Sequence, residues 1–372
     1  MPIYAGLISG TSMDGVEAVA LQIGSTGMQV RGAVHVDYPD ELSRALHAAV
    51  ANPAQCDLDM LGTLDARIGE VFASAALQLL DAAGLKAAQV RAIGSHGQTV
   101  LHRPRAATPF TLQIGDANRI AERTGLDVVA DFRRRDLAAG GEAAPLVPAF
   151  HAAAFGRPGE ARAVVNIGGI GNVTLLHADG RVSGFDTGPG NCLMDLWAQE
   201  HLGRPYDDAG RLAASGRVDS ALLNLLLQEP YLVLPPPKST GRELFNRAWL
   251  QKALDRSAAT VADVQATLCE FTAASIASAV TGAAFAPTQL LVCGGGAFND
   301  ELMRRLAARL PGVPVRSTGT AGIPPEQVEA AMCAWLAHQF LEGRPGNLVA
   351  VTGARGPRVL GALHRGGVTE PQ

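Results

Sequence analysis

Three glycine-rich turns, each following an apolar run with the character of a β-strand, constrain this chain more than any other feature. They read SGTSMDG at residues 9–15, NIGGIGN at residues 166–172 and VCGGGAFN at residues 292–299. Glycine permits positive φ and lets a ligand approach the backbone closely. A tight turn also directs successive N–H groups into one concavity, which favours anions. Three such turns therefore indicate a protein that binds phosphate groups.

The strands around the first two turns repeat one arrangement. IYAGLI, VEAVALQI and MQVRGAVHV open the chain as an antiparallel meander, and the order of strand, glycine turn and strand returns after a break near residues 138–161. The chain has 372 residues, more than one hydrophobic core usually holds, so two domains are expected. We predict an α/β fold with an N-terminal domain over residues 1–150 and a C-terminal domain over residues 151–350. The segment 350–372 is a candidate to return to the first domain.

The order and spacing of the three turns resemble the phosphate 1, phosphate 2 and adenosine signatures of the actin, hexokinase and Hsp70 superfamily. That resemblance implies a ribonuclease H-like fold with ATP in an interdomain cleft. No GxxxxGK[ST] motif occurs, and GGIGNV lacks the last glycine of a dinucleotide motif and opens onto a strand. In the second and third turns, the predicted ATP-binding residues are Gly168, Gly169, Asn172, Gly294, Gly295 and Gly296.

The first turn also offers hydroxyl donors and a carboxylate. Thr11 and Ser12 can donate to a phosphate, whereas Asp14 would repel one unless a divalent cation or an orienting role intervenes. Mg²⁺ usually takes one or two carboxylates together with substrate phosphates and water, which makes Asp14 the candidate metal ligand. The alternative is a plain hairpin turn with Asp14 and Gly15 as a type I′ pair.

Asp186 is the candidate general base. In FDTGPGN it ends a predicted strand and precedes a rigid glycine and proline turn, beside the predicted nucleotide cleft. Its alternative role is to cap the helix that starts at about Cys192. Asn191 can cap that helix itself, so the helix does not require Asp186.

The motifs converge on one family. The sequence resembles anhydro-N-acetylmuramic acid kinases through GLISGTSMDGVEAV, GSHGQTVLHRP, TLQIGDANRIAERTG, VVADFRRRDLAAGGEAAPLVPAFH, NIGGIGN, GFDTGPGN, PPPKSTGRELFN and CGGGAFN. The resemblance runs in unbroken order from about residue 4 to about residue 362. One departure is Met13, where leucine is expected, and that exchange is nearly neutral in volume.

This resemblance implies a bacterial cytosolic enzyme of cell-wall recycling that forms a homodimer. Such an enzyme uses ATP and water to open the 1,6-anhydro ring of anhydro-N-acetylmuramic acid and phosphorylates O6, giving N-acetylmuramic acid 6-phosphate and ADP. Asp186 is then the base. The residues that the resemblance assigns to the ATP phosphates are Gly10, Thr11, Ser12, Met13, Asp14, Gly15, Val16 and Glu17.

The implied chemistry suits an aspartate because the intramolecular acetal has no free 6-hydroxyl to deprotonate. Asp186 would instead activate a water molecule to attack C1, and O6 would leave toward the γ-phosphate, which combines glycosidic cleavage with phosphoryl transfer. Attack opposite the leaving oxygen predicts inversion at C1.

The stretches that carry the resemblance supply the sugar-binding candidates His96, Gln98, Asp131, Arg133 and Gly188. Glu329, in the last long predicted helix, matches the family position of a carboxylate that reaches the cleft and is a further candidate. Arg133 suits the lactyl carboxylate because a guanidinium binds carboxylate through two parallel hydrogen bonds. Three of these candidates also have a structural explanation: a solvated basic patch or a helix-end cluster for Arg133, a buried histidine bonded to backbone for His96, and a favourable helix-start charge for Glu329.

Other features exclude whole classes of function. The net charge of −4 and the absence of a long basic run exclude a nucleic-acid surface. Five widely spaced cysteines without metal spacing fit reduced thiols in the cytosol, and MPIYAGL does not resemble a signal peptide. The apolar stretch 271–287 is interrupted by serine and threonine and closed by Pro287, so we predict a buried helix and no membrane span.

Two functional alternatives stay open on the sequence. One is a kinase of the same fold that acts on another sugar, through a free hydroxyl and without a catalytic water. The other is a non-enzymatic ATP-driven binding module. Identifying which sugar is consumed, the anhydro sugar or free N-acetylmuramic acid, distinguishes the first alternative from an anhydro-sugar kinase. ATP hydrolysis at the same rate with and without sugar would indicate the second alternative.

Overall fold

A computed structural model describes residues 1–10, 12–25, 27–236, 238–282 and 285–367. Its contacts divide the chain into two compact units. Unit 1 contains Met1–Phe150 together with the chain from Gln327 onward, and unit 2 contains His151–Glu326. Unit 1 is therefore assembled from two separate stretches of sequence, whereas unit 2 is continuous.

The β-strands are short to medium in length and carry the alternating or continuous burial of sheet residues. In chain order they are β1 (Ile3–Ser9), β2 (Gly15–Gly24), β3 (Gly27–Asp37), β4 (Val90–Arg103), β5 (Phe110–Ile114), β6 (Val128–Ala130), β7 (Arg162–Ile167), β8 (Ile170–Leu176), β9 (Val182–Pro189), β10 (Gln289–Cys293), β11 (Val315–Ser317) and β12 (Ala362–His364).

The α-helices range from single turns to a long helix in each unit. In chain order they are α1 (Asp40–Ala51), α2 (Leu58–Ala82), α3 (Ala117–Thr124), α4 (Arg134–Ala138), α5 (Val147–Phe155), α6 (Cys192–Leu202), α7 (Arg211–Ser215), α8 (Ser220–Leu227), α9 (Arg247–Leu254), α10 (Val261–Thr281), α11 (Asp300–Arg309), α12 (Val328–Leu341) and α13 (Val349–Thr352).

The sheet of unit 1 has the strand order β12-β6-β4-β1-β2-β3, with β5 paired to β4. The first three strands form the predicted antiparallel meander, because β1 pairs with β2 and β2 with β3 in opposite directions. β4 then joins β1 in parallel, and β6 joins β4 in parallel. The chain returns to this sheet at its far end, where β12 pairs antiparallel with β6.

The sheet of unit 2 repeats this arrangement. Its order is β11-β10-β7-β8-β9. β7, β8 and β9 form an antiparallel meander, and β10 and β11 follow in parallel beside β7. The common order and direction of strands confirm the predicted fold class of two α/β halves that each open with a glycine-turn hairpin.

Helices cover both faces of the unit 1 sheet. Asp57 starts α2 by accepting a hydrogen bond from the Met60 amide, and the buried apolar face of α2 packs into the core with α3 and the sheet. On the opposite face, α12 lies directly against β1 and β4. A Cβ at Gly6 would overlap the Ala330 carbonyl, and one at Gly94 would overlap the Cys333 carbonyl. Glycine at these two positions is therefore what permits the close approach.

The core of unit 2 is built around α10. Thr260 caps this helix by accepting from the Asp263 amide, and most of its residues from Val264 to Val280 are buried. This confirms the predicted buried helix within the described part of the stretch 271–287; Ala283 and Ala284 lie outside the described residues. Among the residues described, no helix is both long enough and apolar enough to cross a bilayer. All five cysteines are described, and each is a free thiol.

Candidate active site

The first glycine turn is a compact loop that presents polar side chains to solvent. The Gly10 carbonyl accepts from the Met13 amide at 3.3 Å, and Met13 has φ of 53°. Ser12 Oγ donates to Asp14 Oδ1 at 2.8 Å, and both residues are exposed. Thr11 lies outside the described residues. Asp14 and Gly15, both described, lack the positive φ that a type I′ pair requires, so that alternative is wrong.

Gln98 fixes this turn to the neighbouring strand. Its side-chain amide donates to the Gly10 carbonyl at 3.3 Å and accepts from Ser9 Oγ at 2.6 Å. Gln98 is buried, and β4 continues past it to Arg103. The structure thus places this predicted sugar-binding residue beneath the first turn, where it orders the loop.

The last residues predicted for the first turn lie in β2. Val16 is fully buried in the core. Glu17 points to the neighbouring strand, where it bonds to His35 Nδ1 at 2.6 Å. A Cβ at Gly15 would come within 2.7 Å of His35 Nε2. These three residues form the base of the turn and its strand.

The second and third glycine turns lie side by side in unit 2. Gly294 has φ of 76°, and a Cβ there would overlap Asn166 at the end of β7. A Cβ at Gly296 would overlap the Ile167 side chain, and one at Gly295 would lie 3.5 Å from Asn191 Nδ2. Glycine is therefore required at positions 294 and 296, where the third turn packs on the second, whereas the contact at Gly295 is an ordinary one.

The carbonyls of the second turn face helix α6. The Gly168 carbonyl accepts from the Asn191 amide at 2.8 Å, and the Gly169 carbonyl accepts from the Gly190 and Cys192 amides at 2.9 and 3.1 Å. The sequence suggested that Asn191 caps α6 with its side chain, but no such cap forms. Instead, Asn191 Nδ2 donates to the Ile167 carbonyl at 3.2 Å. The side chain is thus used to hold the second turn.

Asp186 lies inside β9, which runs on to Pro189, so the prediction that it ends a strand is wrong. It pairs with Asn172 across the hairpin, next to a register shift at which Thr187 of β9 is the extra residue. Asp186 Oδ2 accepts from the Thr240 amide at 3.0 Å. Burial raises the pKa of the Asp186 carboxyl above its usual 3.8, the Thr240 amide opposes that rise, and Glu243 adds to it.

A segment from Lys238 to Glu243 wraps around this aspartate. The Asp186 amide donates to the Lys238 carbonyl at 3.2 Å, and the Tyr231 hydroxyl donates to the Asp186 carbonyl at 2.8 Å. Gly188 follows in the same strand with φ of 133° and is buried. The backbone on either side of Asp186 is therefore held in place, and one carboxylate oxygen has a hydrogen bond.

The predicted sugar-binding residues of unit 1 include a tightly linked pair. Arg133 Nε donates to His96 Nε2 at 2.9 Å, and Arg133 Nη1 donates to the Ala143 carbonyl at 2.7 Å. Since Nε2 accepts, the His96 proton lies on Nδ1, which faces the Gly97 carbonyl at 3.1 Å. Burial, with Arg133 nearby, lowers the pKa of His96 to about 3. His96 is therefore neutral and orients the arginine.

A polar cavity of about 240 Å³ opens beside His96 in unit 1. Asp131 lies on its wall in a left-handed conformation with φ of 60°, and burial raises the pKa of its carboxyl. Ser95 also lines the cavity, and its buried hydroxyl has no hydrogen-bond partner among the described residues. The remaining polar lining residues include Asp116, Asn118, Arg134 and His364.

Glu329 lies in the first turn of α12, which begins at Val328 after a 3₁₀ turn at Pro325–Gln327. Its side chain is exposed to solvent. Desolvation by the surrounding protein atoms raises the pKa of the Glu329 carboxyl, and the Arg133 guanidinium opposes part of that rise. The structure thus brings Glu329 within the electrostatic influence of Arg133, so these two candidates belong to one neighbourhood of unit 1.

Comparison with known proteins decides the family. A family model described as anhydro-N-acetylmuramic acid kinase matches residues 2–366. The chain belongs to the anhydro-N-acetylmuramic acid kinase family. A relative of that name from Xanthomonas campestris pv. campestris (strain 8004) is 52% identical over 366 residues, covering 98% of this chain and 97% of the relative. The resemblance identified in the sequence is confirmed.

More distant members and structures extend the comparison. A relative from Vibrio parahaemolyticus serotype O3:K6 (strain RIMD 2210633), also named anhydro-N-acetylmuramic acid kinase, is 49% identical over 364 residues, covering 97% of this chain and 98% of the relative. Among solved structures, component A of the (R)-2-hydroxyglutaryl-CoA dehydratase of Acidaminococcus fermentans is 12% identical, with a TM-score of 0.48 and 90% and 96% of the two chains covered.

Two groups of site residues in this anhydro-N-acetylmuramic acid kinase family member were not predicted from the sequence. Arg134, Asp116 and His364 line the cavity, but they lie on three elements whose meeting no local pattern shows. Lys238 and Thr240 contact the backbone and side chain of Asp186. Their motif, PPPKSTGRELFN, was part of the family resemblance, and that motif was the available signal.

Proposed function

We propose that this member of the anhydro-N-acetylmuramic acid kinase family hydrolyses the 1,6-anhydro ring of anhydro-N-acetylmuramic acid and transfers the γ-phosphoryl group of ATP to O6. The products are N-acetylmuramic acid 6-phosphate and ADP, and the reaction serves cell-wall recycling. The observation that carries this proposal is the state of Asp186. Its carboxyl is half-buried, its pKa is raised, and only Oδ2 has a hydrogen bond among the described residues.

Asp186 suits the role of general base for water. A carboxylate with an unused oxygen can accept a proton, and a raised pKa strengthens it as a base. The Thr240 amide fixes one oxygen, and the Tyr231 hydroxyl fixes the Asp186 backbone. This side chain would take a proton from the water that attacks C1, while the C1–O6 electron pair passes to O6.

The unit 1 cavity supports binding of a polar sugar. Ser95 offers a buried hydroxyl without a partner, and Asp131 offers a carboxylate whose backbone is held in a left-handed conformation. A buried polar group without a partner costs free energy, which a ligand hydroxyl would recover. Arg133 and Glu329 lie in the same neighbourhood and supply charges for the lactyl carboxylate and a sugar hydroxyl.

The glycine turns support binding of the ATP phosphates. Side chains are excluded from Gly294 and Gly296 by neighbouring atoms, and such bare backbone permits close approach of a phosphate or a purine. Asp14 is exposed and held by Ser12, so it is available to a divalent cation together with phosphate oxygens. Mg²⁺ bound there would neutralise phosphate charge. Gly10, Thr11, Ser12 and Met13 would complete the phosphate contacts.

A cytoplasmic location and a homodimer are parts of the same proposal. Both rest on the family resemblance. Size-exclusion chromatography with light scattering tests the dimer directly, because a monomeric mass at micromolar protein would contradict it.

The deciding experiment supplies ATP and the anhydro sugar in ¹⁸O-labelled water. The proposal predicts heavy oxygen at C1, phosphate at O6, one ADP for each sugar opened, and inverted configuration in the first-formed product. A product with light oxygen at C1 or retained configuration would contradict this mechanism. Free N-acetylmuramic acid serves as the competing substrate, since faster phosphorylation of that sugar would identify an ordinary sugar kinase. Equal ATP hydrolysis with and without sugar would indicate a binding module.

A further inference from the structure

The exposed side chain of Arg242 in unit 2 has no role in the proposed reaction. Arg242 stands in PPPKSTGRELFN, and its side chain is exposed. Among the described residues, no hydrogen bond or ion pair holds its guanidinium. Most other arginines of this unit are paired, for example Arg247 with Glu200 and Arg305 with Glu270. An arginine left unpaired beside a candidate ligand site is available to bind an anion.

The guanidinium of Arg242 lies directly on the second glycine turn. A Cβ built at Gly169 would be 3.2 Å from Arg242 Nη2 and 3.3 Å from Nε. Those contacts are tighter than ordinary van der Waals distances, so glycine at this position leaves room for the arginine. The cation is therefore placed against one of the residues predicted to bind phosphate.

The second turn also supplies a backbone amide that is directed away from helix α6. The carbonyls of Gly168 and Gly169 accept the amides of residues 190–192. In a trans peptide the N–H of the next residue points opposite to the carbonyl. The Gly169 amide, which shares its peptide with the Gly168 carbonyl, therefore points away from α6. This amide and the Arg242 guanidinium are two hydrogen-bond donors of the same turn region.

The electrostatic effect of Arg242 is visible at neighbouring groups. Burial raises the pKa of Asp195 to about 7, and Arg242 opposes that rise. Burial likewise raises the pKa of the Cys192 thiol, and Arg242 is again the main opposing influence. Among the described residues, Asp195 forms no ion pair with Arg242. The positive charge thus acts on the start of α6 without being neutralised there.

Arg242 is linked to the candidate base through its own segment. Thr240, two residues earlier, donates its amide to Asp186 Oδ2, and Glu243, the next residue, raises the pKa of Asp186. One short stretch of chain therefore positions both the base and the cation. Placing Arg242 at a phosphoryl group would keep it close to the atoms that Asp186 serves.

From this geometry we infer that Arg242 binds the γ-phosphoryl group during its transfer. Arg242 and the Gly169 amide would both contact the non-bridging oxygens of that group. The inference rests on the proposed function. In that reaction water forms a bond to C1 and gives its proton to Asp186. The C1–O6 bond breaks, O6 bonds to the γ-phosphorus, and the electron pair of the broken phosphoanhydride bond leaves with ADP. Arg242 stabilises the negative charge on the three equatorial oxygens.

The first test compares Arg242→Ala and Arg242→Lys with Arg181→Ala. Arg181 is an exposed arginine in the turn that joins β8 to β9, at the end of this hairpin away from Gly169, and it pairs with Asp179. Its removal should leave turnover unchanged. Arg242→Ala should lower kcat by about 10²- to 10³-fold, the range for loss of one donor to a developing anion. Arg242→Lys should retain part of the rate, and millimolar guanidinium should partly restore Arg242→Ala. An unchanged kcat would refute the inference.

The second test needs no sugar, so it separates this inference from the proposed function. Calorimetry measures ADP and a non-hydrolysable ATP analogue, each with Mg²⁺, on the wild type and both variants. The analogue should bind Arg242→Ala roughly tenfold or more weakly, as expected for a lost charge-assisted hydrogen bond, whereas ADP affinity should stay unchanged. Equal weakening of both nucleotides would refute contact with the terminal phosphoryl group. If the alanine variant melts early, Arg242→Gln replaces it in both tests.

If the wild-type protein does not convert the anhydro sugar, the proposed function is overturned, but the inference on Arg242 is not. The calorimetric difference between ADP and the analogue would still decide the contact of Arg242.

Discussion

Two aspartates, one in each unit, show how the same side chain serves structure or chemistry. Asp136 in α4 is fully buried, and its carboxylate accepts hydrogen bonds from Asn347 Nδ2, Thr352 Oγ1 and the Ala143 amide at 2.7, 2.8 and 2.8 Å. Asp186 is only half-buried and accepts one. Burial alone therefore does not mark a reactive carboxylate; the number of donors that surround it does.

The energetic consequences of the two environments have opposite signs. Three donors compensate Asp136 for loss of water, so removing the carboxylate leaves them without an acceptor. The single hydrogen bond to the Asp186 carboxylate does not fully compensate its loss of water, and burial raises the pKa of this carboxyl. The native state then binds more protons than the unfolded chain between pH 3.8 and the raised value, so unfolding free energy falls as pH rises through that window. Ionised Asp186 is thus a cost to the fold.

The largest effect that tests this contrast is on turnover. Asp186→Asn should lower kcat by about 10³-fold, within the range for a lost general base, and should leave the melting temperature equal or higher, because the amide is neutral and still accepts from Thr240. Steady-state assays and calorimetric melting measure both. Asp179→Asn, in the exposed turn of the same hairpin, is the control. Near wild-type turnover would remove Asp186 from the mechanism.

Asp136→Ala should act mainly on stability. It leaves three donors without an acceptor, at about 1–3 kcal/mol each when buried, so the free energy of unfolding should fall by about 3 kcal/mol or more. Urea denaturation measures this, with Asp81→Ala on the exposed side of α2 as the control. Turnover for each folded molecule should stay close to wild type. A stable variant with lost turnover would reverse the roles assigned to the two aspartates.

A smaller effect is expected where unit 1 binds the sugar. Arg133→Ala removes a guanidinium that holds His96 and lies near Glu329, so KM for the anhydro sugar should rise roughly tenfold or more. KM for ATP should change little. Titration of initial rates against each substrate measures the two values. Arg135→Ala, an exposed neighbour in α4, controls for loss of local charge, and an unchanged sugar KM would refute the role of Arg133.

The smallest expected effect is on the pH dependence of the wild type. Asp186 acts as a base only when ionised, so kcat/KM should fall as pH falls through its raised pKa. The acid limb should therefore lie above the position expected for an ordinary aspartate of pKa 3.8. Glu243→Gln removes one cause of the rise and should move that limb to lower pH. A limb that does not respond to Glu243 would show that another group titrates.

The sequence predicted what local pattern determines. The meander of β1, β2 and β3 follows from strand-like runs joined by turn residues, and the buried α10 follows from an apolar run interrupted by serine and threonine. The glycine turns were also evident, because glycine marks positions where neighbours exclude a side chain. These features depend on residues that lie close together in the chain.

What the sequence did not show depends on distant partners. Asp186 was placed at a strand end because Gly188 and Pro189 follow, yet pairing with β8 carries β9 through to Pro189. Asn191 was expected to cap α6, yet the Ile167 carbonyl takes its side chain. The donors of Asp136 include Asn347 and Thr352, more than 200 residues away. No spacing rule joins such residues.

The discontinuity of unit 1 has a consequence for its synthesis. The ribosome finishes all of unit 2 before it makes α12 and β12, which complete the sheet environment of unit 1. Until then, Gly6 and Gly94 face no helix, and β6 has an open edge. The amino-terminal half must therefore wait as an unfinished nascent chain, exposed to chaperones and to aggregation, until the last stretch of polypeptide emerges and closes it.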